Sequence, residues 1–111
     1  MRIDHQQVGT VDVIMPLGTL VEDEAAEFAE QLQTRLAGAN MRMVLDMHEV
    51  PYLDSTALEA LADAADHMEQ RSTRLRMVGA TATVREVLEL TGLSRQIQFF
   101  EQVDDAVRSF L

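Results

Sequence analysis

The sequence of 111 residues contains no cysteine, no lysine and no tryptophan, and only two prolines. Without cysteine the chain has no disulfides, no thiolate metal sites and no cysteine nucleophile. All nine basic residues are arginine, against 19 Asp and Glu, so the formal net charge is −10. This excess of acid argues against binding to nucleic acid or to an anionic membrane, because both need clustered basic side chains.

Long apolar runs are also missing. The longest, such as residues 13–15 and 43–45, are far shorter than the roughly 20 residues that a membrane-spanning helix needs. The N-terminal segment MRIDHQQVGT is polar and lacks the apolar centre of a signal peptide. We therefore expect a cytoplasmic protein. Apolar residues make up 47% of the chain, enough for the core of one domain over residues 1–111.

Hydrophobic periodicity predicts an α/β fold. Alternating residues predict two strands within residues 3–15, with a turn at Gly9 and Thr10 and an end at Pro16 and Gly18. Short apolar segments predict three more strands, at residues 41–47, 75–78 and 97–100. Helical spacing predicts four helices, at residues 21–36, 58–68, 84–88 and 103–110, with Gly38 and Asn40 at the exit of the first.

The order of these elements is ββαβαβαβα. Strands that alternate with helices imply right-handed crossovers and a mostly parallel central sheet, and the N-terminal β-hairpin adds an antiparallel edge. Most of the seven methionines, among them Met15, Met43, Met68 and Met77, fall at strand or stripe positions, so we expect them in the core.

The loop that leaves the third strand is the richest in polar side chains. It has the sequence HEVPYLDSTALEAL, residues 48–61, and such loops form the ligand sites of parallel sheets. Asp54 or Ser55 can cap the following helix, and Thr56 with Glu59 matches a capping box. The alternative is that Ser55 is an exposed hydroxyl whose phosphate would meet the free amides of the helix N-terminus. Spacing alone does not choose between a structural cap and a modification site.

Three segments together resemble the STAS domain, the family of anti-sigma factor antagonists. MVLDMHEVPYLDSTALEAL, residues 43–61, is similar to the family's apolar strand ending in Asp or Asn, its hydrophobic loop and its D-S-(S/T)-G-L helix start. LGTL, residues 17–20, stands where the family has a G-x-L turn. RLRMVGATATVREVLELTGLSRQIQFF, residues 74–100, stands where it has a strand, a helix and a closing T/S-G-L turn. The resemblance covers nearly the whole chain.

The resemblance implies a STAS-like fold and a protein-binding switch, not an enzyme. The residues themselves show no metal-ligand spacing and no phosphate-binding loop, so we expect no metal and no cofactor. Ser55 would be phosphorylated by a partner that is both anti-sigma factor and serine kinase. The unphosphorylated form would bind that partner and release the sigma factor, and a serine phosphatase would reset the switch. Asp54 would orient the Ser55 hydroxyl, and Thr56 would supply a capping hydroxyl. The oligomeric state is left open.

Two positions depart from the family pattern. Ala57 replaces the family's glycine, and its methyl group would hinder the close approach of a kinase loop. Val21 stands where many antagonists carry Asp after the G-x-L turn, near the partner-binding edge. The acidic residues that follow, Glu22 and Asp23 with Glu24, would substitute for that charge. The expected partner-binding residues are thus Asp54, Ser55, Thr56, Glu22 and Asp23.

Other chemistries find less support in the sequence. His5, His48 and His67 have no metal-ligand spacing, and no glycine-rich phosphate loop is present. His48, beside Glu49, is a candidate general base for Ser55, but the sequence lacks the G-x-S-x-G motif that forms the nucleophile turn of many hydrolases. The five carboxylates in residues 22–30 are typical of a solvated helix face and would also steer a basic partner.

Two alternatives to the switch remain at this point. The first is a non-switching STAS subunit of a larger assembly, either a stressosome-like scaffold or a lipid-transport ABC complex, in which the same loop is a constitutive docking surface. The second is a small-molecule-binding or hydrolytic domain that uses the loop as a pocket.

Overall fold

The computed structural model describes residues 1–39 and 42–111. Five strands form one sheet in sequence order: β1 (Arg2–Val8), β2 (Val11–Leu17), β3 (Met43–Asp46), β4 (Leu75–Val78) and β5 (Ile97–Phe100). β1 pairs antiparallel with β2, and the remaining neighbours pair in parallel. The predicted mostly parallel sheet with an N-terminal hairpin at its edge is confirmed.

Four α-helices connect or follow the strands: α1 (Glu22–Leu36), α2 (Ser55–Gln70), α3 (Ala82–Leu90) and α4 (Val103–Arg108). The predicted element order is confirmed, and a short 3₁₀ helix at Leu93–Gln96, which the sequence did not predict, precedes β5. The predicted helix exit at Asn40 and strand start at Met41 lie outside the described residues. No helix among the described residues is long and apolar enough to cross a membrane.

Proline does not end the second strand, contrary to the prediction. β2 continues through Pro16 to Leu17 and pairs there with β1. The described register with β3 ends at Ile14, so the missing N–H of Pro16 removes no bond from that ladder.

The two faces of the sheet are covered unequally. Alternate residues such as Ile14, Leu45 and Met77 pack against α1, α2 and α3 in the main core. The residues of opposite phase, such as Val44 and Val78, pack in a smaller core against Ala106 of α4. The helix α4 is only six residues long and contacts β3, β4 and β5. It therefore covers mainly the half of this sheet face that those three strands form.

Candidate functional site

The loop between β3 and α2 is anchored from several sides. Its apolar residues Val50 and Leu53 are buried, and the Val50 carbonyl accepts a hydrogen bond from the Thr81 hydroxyl at 3.2 Å. Tyr52, by contrast, leaves about half of its surface exposed, at 51%. The loop therefore has a fixed backbone and presents an aromatic side chain to solvent just before the start of α2.

Asp54 is the N-cap of α2. Its Oδ1 accepts a hydrogen bond from the Ala57 amide at 3.1 Å, and the helix begins at Ser55. This bond settles which of Asp54 and Ser55 caps the helix. The predicted capping box of Thr56 and Glu59 is wrong, because Thr56 already lies in the first helical turn and cannot be the residue before it.

The same carboxylate also binds the start of α1. Its Oδ2 accepts a hydrogen bond from the Glu22 amide at 2.8 Å. These two amides, Glu22 first and Ala57 second, hold the pKa of the Asp54 carboxyl below its ordinary value. Asp54 thus joins the start of its own helix to the start of α1, where Glu22 lies 32 residues earlier in the chain.

Backbone pairing supports this junction. Leu20 forms an isolated parallel bridge with Leu53, and both side chains are buried. The Leu20 amide donates to the Tyr52 carbonyl at 3.0 Å, and the Asp54 amide donates to the Leu20 carbonyl at 2.9 Å. The segment after β2 is therefore fixed against the loop before α2, which brings the exposed residues Glu22 and Asp23 near the helix that begins at Ser55.

Ser55 is exposed and lies at a groove. The groove has a volume of about 380 Å³ between α2 and the turn that links α3 to the 3₁₀ helix. Leu58 and Ala62 line it on one side, and Gly92 and Leu93 line it on the other. Among the residues that the structure describes, none forms a hydrogen bond with the Ser55 hydroxyl. The oxygen is consequently available to a reagent or a partner.

The comparisons with known proteins identify the family. A family model for the STAS domain matches residues 2–106. The chain belongs to the STAS domain family. The anti-sigma-B factor antagonist of Listeria monocytogenes serovar 1/2a is 26% identical to this STAS domain over 98 residues, which are 88% of this chain and 85% of that protein.

Solved structures share the fold at lower identity. An anti-sigma factor antagonist from Mycobacterium paratuberculosis matches this STAS domain with a TM-score of 0.85 and 20% identity, over 97% of this chain and 92% of that chain. The phosphorylated form of the Bacillus cell fate determinant SpoIIAA matches with a TM-score of 0.77 and 16% identity, over 99% of this chain and 100% of that chain. The likeness extends over the whole sheet and its helices.

The departure at Ala57 has no consequence at the surface. The Ala57 side chain is completely buried and belongs to the main core of the STAS domain. Its methyl group therefore faces inward, away from any partner that approaches Ser55. The expectation that this methyl group hinders a kinase loop is wrong, because the exposed face of the first turn is formed by Ser55 and Thr56.

The expected role of Asp54 also changes. We expected its carboxylate to orient the Ser55 hydroxyl, but its two oxygens accept the Glu22 and Ala57 amides. Within the described chain, no bond joins this carboxylate to the Ser55 hydroxyl. Asp54 acts through the backbone, by fixing the position of both helix starts.

His48 does not form a catalytic pair with Ser55. Its Nδ1 lies 2.6 Å from Oδ1 of the buried Asp46, and its Nε2 lies 3.2 Å from Oε1 of Glu49. The hydrogen bond with Asp46 raises the pKa of His48 above its ordinary value, against a smaller opposing effect of desolvation. Both ring nitrogens are thus engaged by carboxylates. In residues 1–39 and 42–111, no three His, Asp or Glu side chains converge as a metal site.

Proposed function

We propose that this STAS domain is an anti-sigma factor antagonist that switches by phosphorylation of Ser55. The observation that carries the proposal is an exposed serine whose hydroxyl forms no hydrogen bond within the described chain, at a helix start that Asp54 links to a second helix start. The names of the Listeria relative and of the structural neighbours support the same role. The proposed partner is an anti-sigma factor that is also a serine kinase.

In the proposed reaction, the Ser55 oxygen attacks the γ-phosphorus of ATP bound to the kinase. The new O–P bond forms as the bond between the γ-phosphorus and the bridging oxygen breaks, ADP leaves, and the hydroxyl proton passes to a base of the kinase or to water. A serine phosphatase would hydrolyse the ester and release inorganic phosphate. The STAS domain supplies the hydroxyl and its position, and it acts as a substrate and binding module, not as an enzyme.

The phosphate would act as a charge placed within the binding surface. It adds about −1.5 to −2 charge at pH 7, next to Asp54 and at the mouth of the groove that Ser55 lines. A partner seated on Asp54, Ser55 and Thr56 would meet this charge directly. Glu22 and Asp23 lie on the adjoining helix start, where they would contact basic side chains of the same partner.

The decisive experiment maps phosphorylation of Ser55 in the protein isolated from its host. We expect mass spectrometry to find phospho-Ser55 under some growth conditions and not under others. Pull-down from host lysate should then recover the kinase with the wild type and with Ser55→Ala, and lose it with Ser55→Asp. Thr83→Asp is the matched control, because it places the same charge in the first turn of α3, at another exposed site.

Two outcomes would replace the proposal. Unmodified Ser55 under every condition, together with equal recovery of partners by Ser55→Asp and Ser55→Ala, would favour the STAS subunit of a larger assembly, with this surface as a constitutive docking site. Hydrolysis of generic esters that is abolished by Ser55→Ala would favour the hydrolytic domain.

A further inference from the structure

The strand β1 forms one edge of the sheet. It pairs with β2 on one side, and within residues 1–39 and 42–111 no strand pairs with its other side. Three consecutive residues of this strand, His5, Gln6 and Gln7, are exposed. On the face that α4 leaves open, Met15 of β2, which the sequence pattern predicts in the core, is only half-buried. The N-terminal hairpin is therefore accessible to another chain along its outer strand.

The hydrogen bonds of the hairpin identify which backbone groups of β1 point outward. β1 and β2 pair residue for residue, and Gln7 lies opposite Asp12. The Asp12 amide donates to the Arg42 carbonyl at 2.8 Å, towards β3, so Gln7 forms no ladder bonds with β2. Ladder bonds alternate along an antiparallel pair, so the N–H and C=O groups of Ile3, His5 and Gln7 all point away from the sheet. No described residue bonds to these backbone groups.

β1 lacks the features that usually keep an edge strand from pairing with another chain. Natural edge strands are shortened, bulged or interrupted by proline. The opposite edge of this sheet, β5, has only four residues. β1 has seven residues, contains no proline and pairs with β2 without a bulge. A long, regular strand with outward groups unpaired favours the addition of a further strand.

The charge of β1 favours a second copy of this chain as the source of that strand. The whole chain carries a formal charge of −10, but β1 contributes one cation, Arg2, and one anion, Asp4. These two side chains are hydrogen-bonded to each other at 3.1 Å. The edge is thus locally balanced in charge, and it can approach its own copy without strong repulsion.

One antiparallel register uses the whole strand. With a two-fold axis at His5, this residue faces His5 of the second copy and Ile3 faces Gln7, and each facing pair exchanges two hydrogen bonds. Asp4 then faces the uncharged Gln6. An axis at Asp4 would place two carboxylates opposite each other, which is unfavourable. An axis nearer either end of β1 would leave some outward groups unpaired.

We propose that this chain forms a two-fold dimer by antiparallel pairing of β1 with β1 of a second copy, centred on His5. The two sheets join into one continuous sheet across the axis. The contact consists mainly of one strand from each copy, so it is small and the dimer is weak, with a Kd of about 10 µM to 1 mM. The pairing uses neither Ser55 nor α2, so it stands apart from the proposed switch.

Sedimentation equilibrium of the full chain, at about 10 µM to 1 mM, tests the dimer. Gln7→Pro removes an N–H that points away from β2, so the variant keeps the bonds within the hairpin. It removes one interface bond at each of two symmetric positions, and dimerisation should weaken by about tenfold or more. Gln7→Ala is the matched control, because it changes the same side chain and keeps the N–H. It should dimerise nearly as well as the wild type, and urea unfolding checks that both variants are folded.

Disulfide trapping tests the register. The chain contains no cysteine, so introduced thiols have no native competitor. Asp4→Cys combined with Gln6→Cys places thiols at facing positions whose Cα atoms lie about 4.5 Å apart, within disulfide range. Mild oxidation should convert the double variant to a covalent dimer, as seen by non-reducing electrophoresis, and should leave either single variant monomeric.

Hydrogen exchange locates the contact. The amides of Ile3 and His5 should gain protection as the protein is concentrated, whereas those of Asp4 and Gln6, which face β2, should be protected throughout. Protection that appears on α4 instead, equal dimerisation of Gln7→Pro and Gln7→Ala, or covalent dimers formed as readily by Asp4→Cys alone would each overturn the proposal.

A chain that remains monomeric up to about 1 mM would also overturn it. If the outward amides of β1 then became protected on addition of a protein from the host, the edge would be assigned to a strand of that protein and not to a second copy. Phosphorylation of Ser55 does not enter any of these measurements.

Discussion

The carboxylate of Asp54 accepts a hydrogen bond of 2.8 Å from the backbone amide of Glu22, which lies 32 residues earlier in the sequence. Glu22 has a φ of +52°, a left-handed conformation that costs a non-glycine residue about 1–2 kcal/mol. The bond to Asp54 holds this conformation at the start of α1, while the second oxygen of the same carboxylate caps α2. Movement at either helix start would therefore disturb the other, and both lie within the proposed partner surface.

Replacement of Asp54 by Asn should lower stability at neutral pH and change its acid dependence. The two amides lower the pKa of Asp54 in the folded state, so its contribution is present above the unfolded value near 3.8 and is lost as pH falls through the folded value. Asn has one acceptor oxygen and cannot serve both amides. We expect a urea midpoint below that of the wild type at pH 7, and a difference that narrows below about pH 4.

Asp23→Asn is the control for this prediction. Asp23 is an exposed carboxylate in the first turn of α1, one residue beyond Glu22. Its replacement removes the same charge and should have a much smaller effect. A similar loss of stability in both variants would mean that general charge near the helix start matters, and not the two hydrogen bonds of Asp54.

The contribution of His48 to stability should be lost as pH rises, the opposite direction from that of Asp54. Its folded pKa is raised by Asp46, so its contribution is complete below the unfolded value of about 6.5 and is lost as pH rises through the folded value. The free energy of unfolding of the wild type should fall as pH rises above 6.5, and His48→Gln should remove much of this slope. Urea unfolding between pH 6 and pH 9 measures both. Parallel slopes in the two proteins would contradict the assigned role of the Asp46 bond.

Much of the fold follows from local patterns in the sequence. The strand alternation and the helical stripes predict every strand and α-helix in order, because one face of each element is buried and that face repeats with the element's own period. The position of Ser55 at the start of a helix that follows a buried strand makes it a candidate, but the pattern alone equally fits a helix cap, and it is the resemblance to the STAS family that makes Ser55 the expected phosphorylation site. A loop in that position forms part of the site in parallel sheets.

The remaining features depend on contacts between distant segments. The bond between Asp54 and Glu22 requires the bridge of Leu20 with Leu53, and no local pattern encodes that pairing. The exposure of Met15 depends on how little of the second face α4 covers. The apolar stripe predicted from Leu58 onward does not include Ala57. The buried residue Ala57 nevertheless lies four residues before Leu61, which lies three before Ala64, so all three share one face of α2.

Ala57→Gly should make the STAS domain less stable without improving its phosphorylation. The residue is helical and fully buried. Replacement by glycine lowers the helix propensity at this position and removes one packed methyl group, which should lower the free energy of unfolding by about 1 kcal/mol or more. Urea unfolding measures the loss, and labelling by the cognate kinase with ATP measures the modification of Ser55. Faster labelling of Ala57→Gly at conditions where both proteins are fully folded would restore the view that the methyl group obstructs the kinase.

Gly79 is required beside His48 for two separable reasons. Its φ is +66°, and a Cβ at this position would lie 2.7 Å from the Cβ of His48. Gly92 has a similar φ of +79° with open space around it, so Gly92→Ala reports the backbone cost alone, about 1–2 kcal/mol. Gly79→Ala should cost clearly more in urea unfolding. In a His48→Gly background the collision is removed, and the cost of Gly79→Ala should fall to that of Gly92→Ala. An unchanged cost in that background would show that the backbone conformation, and not His48, requires glycine here.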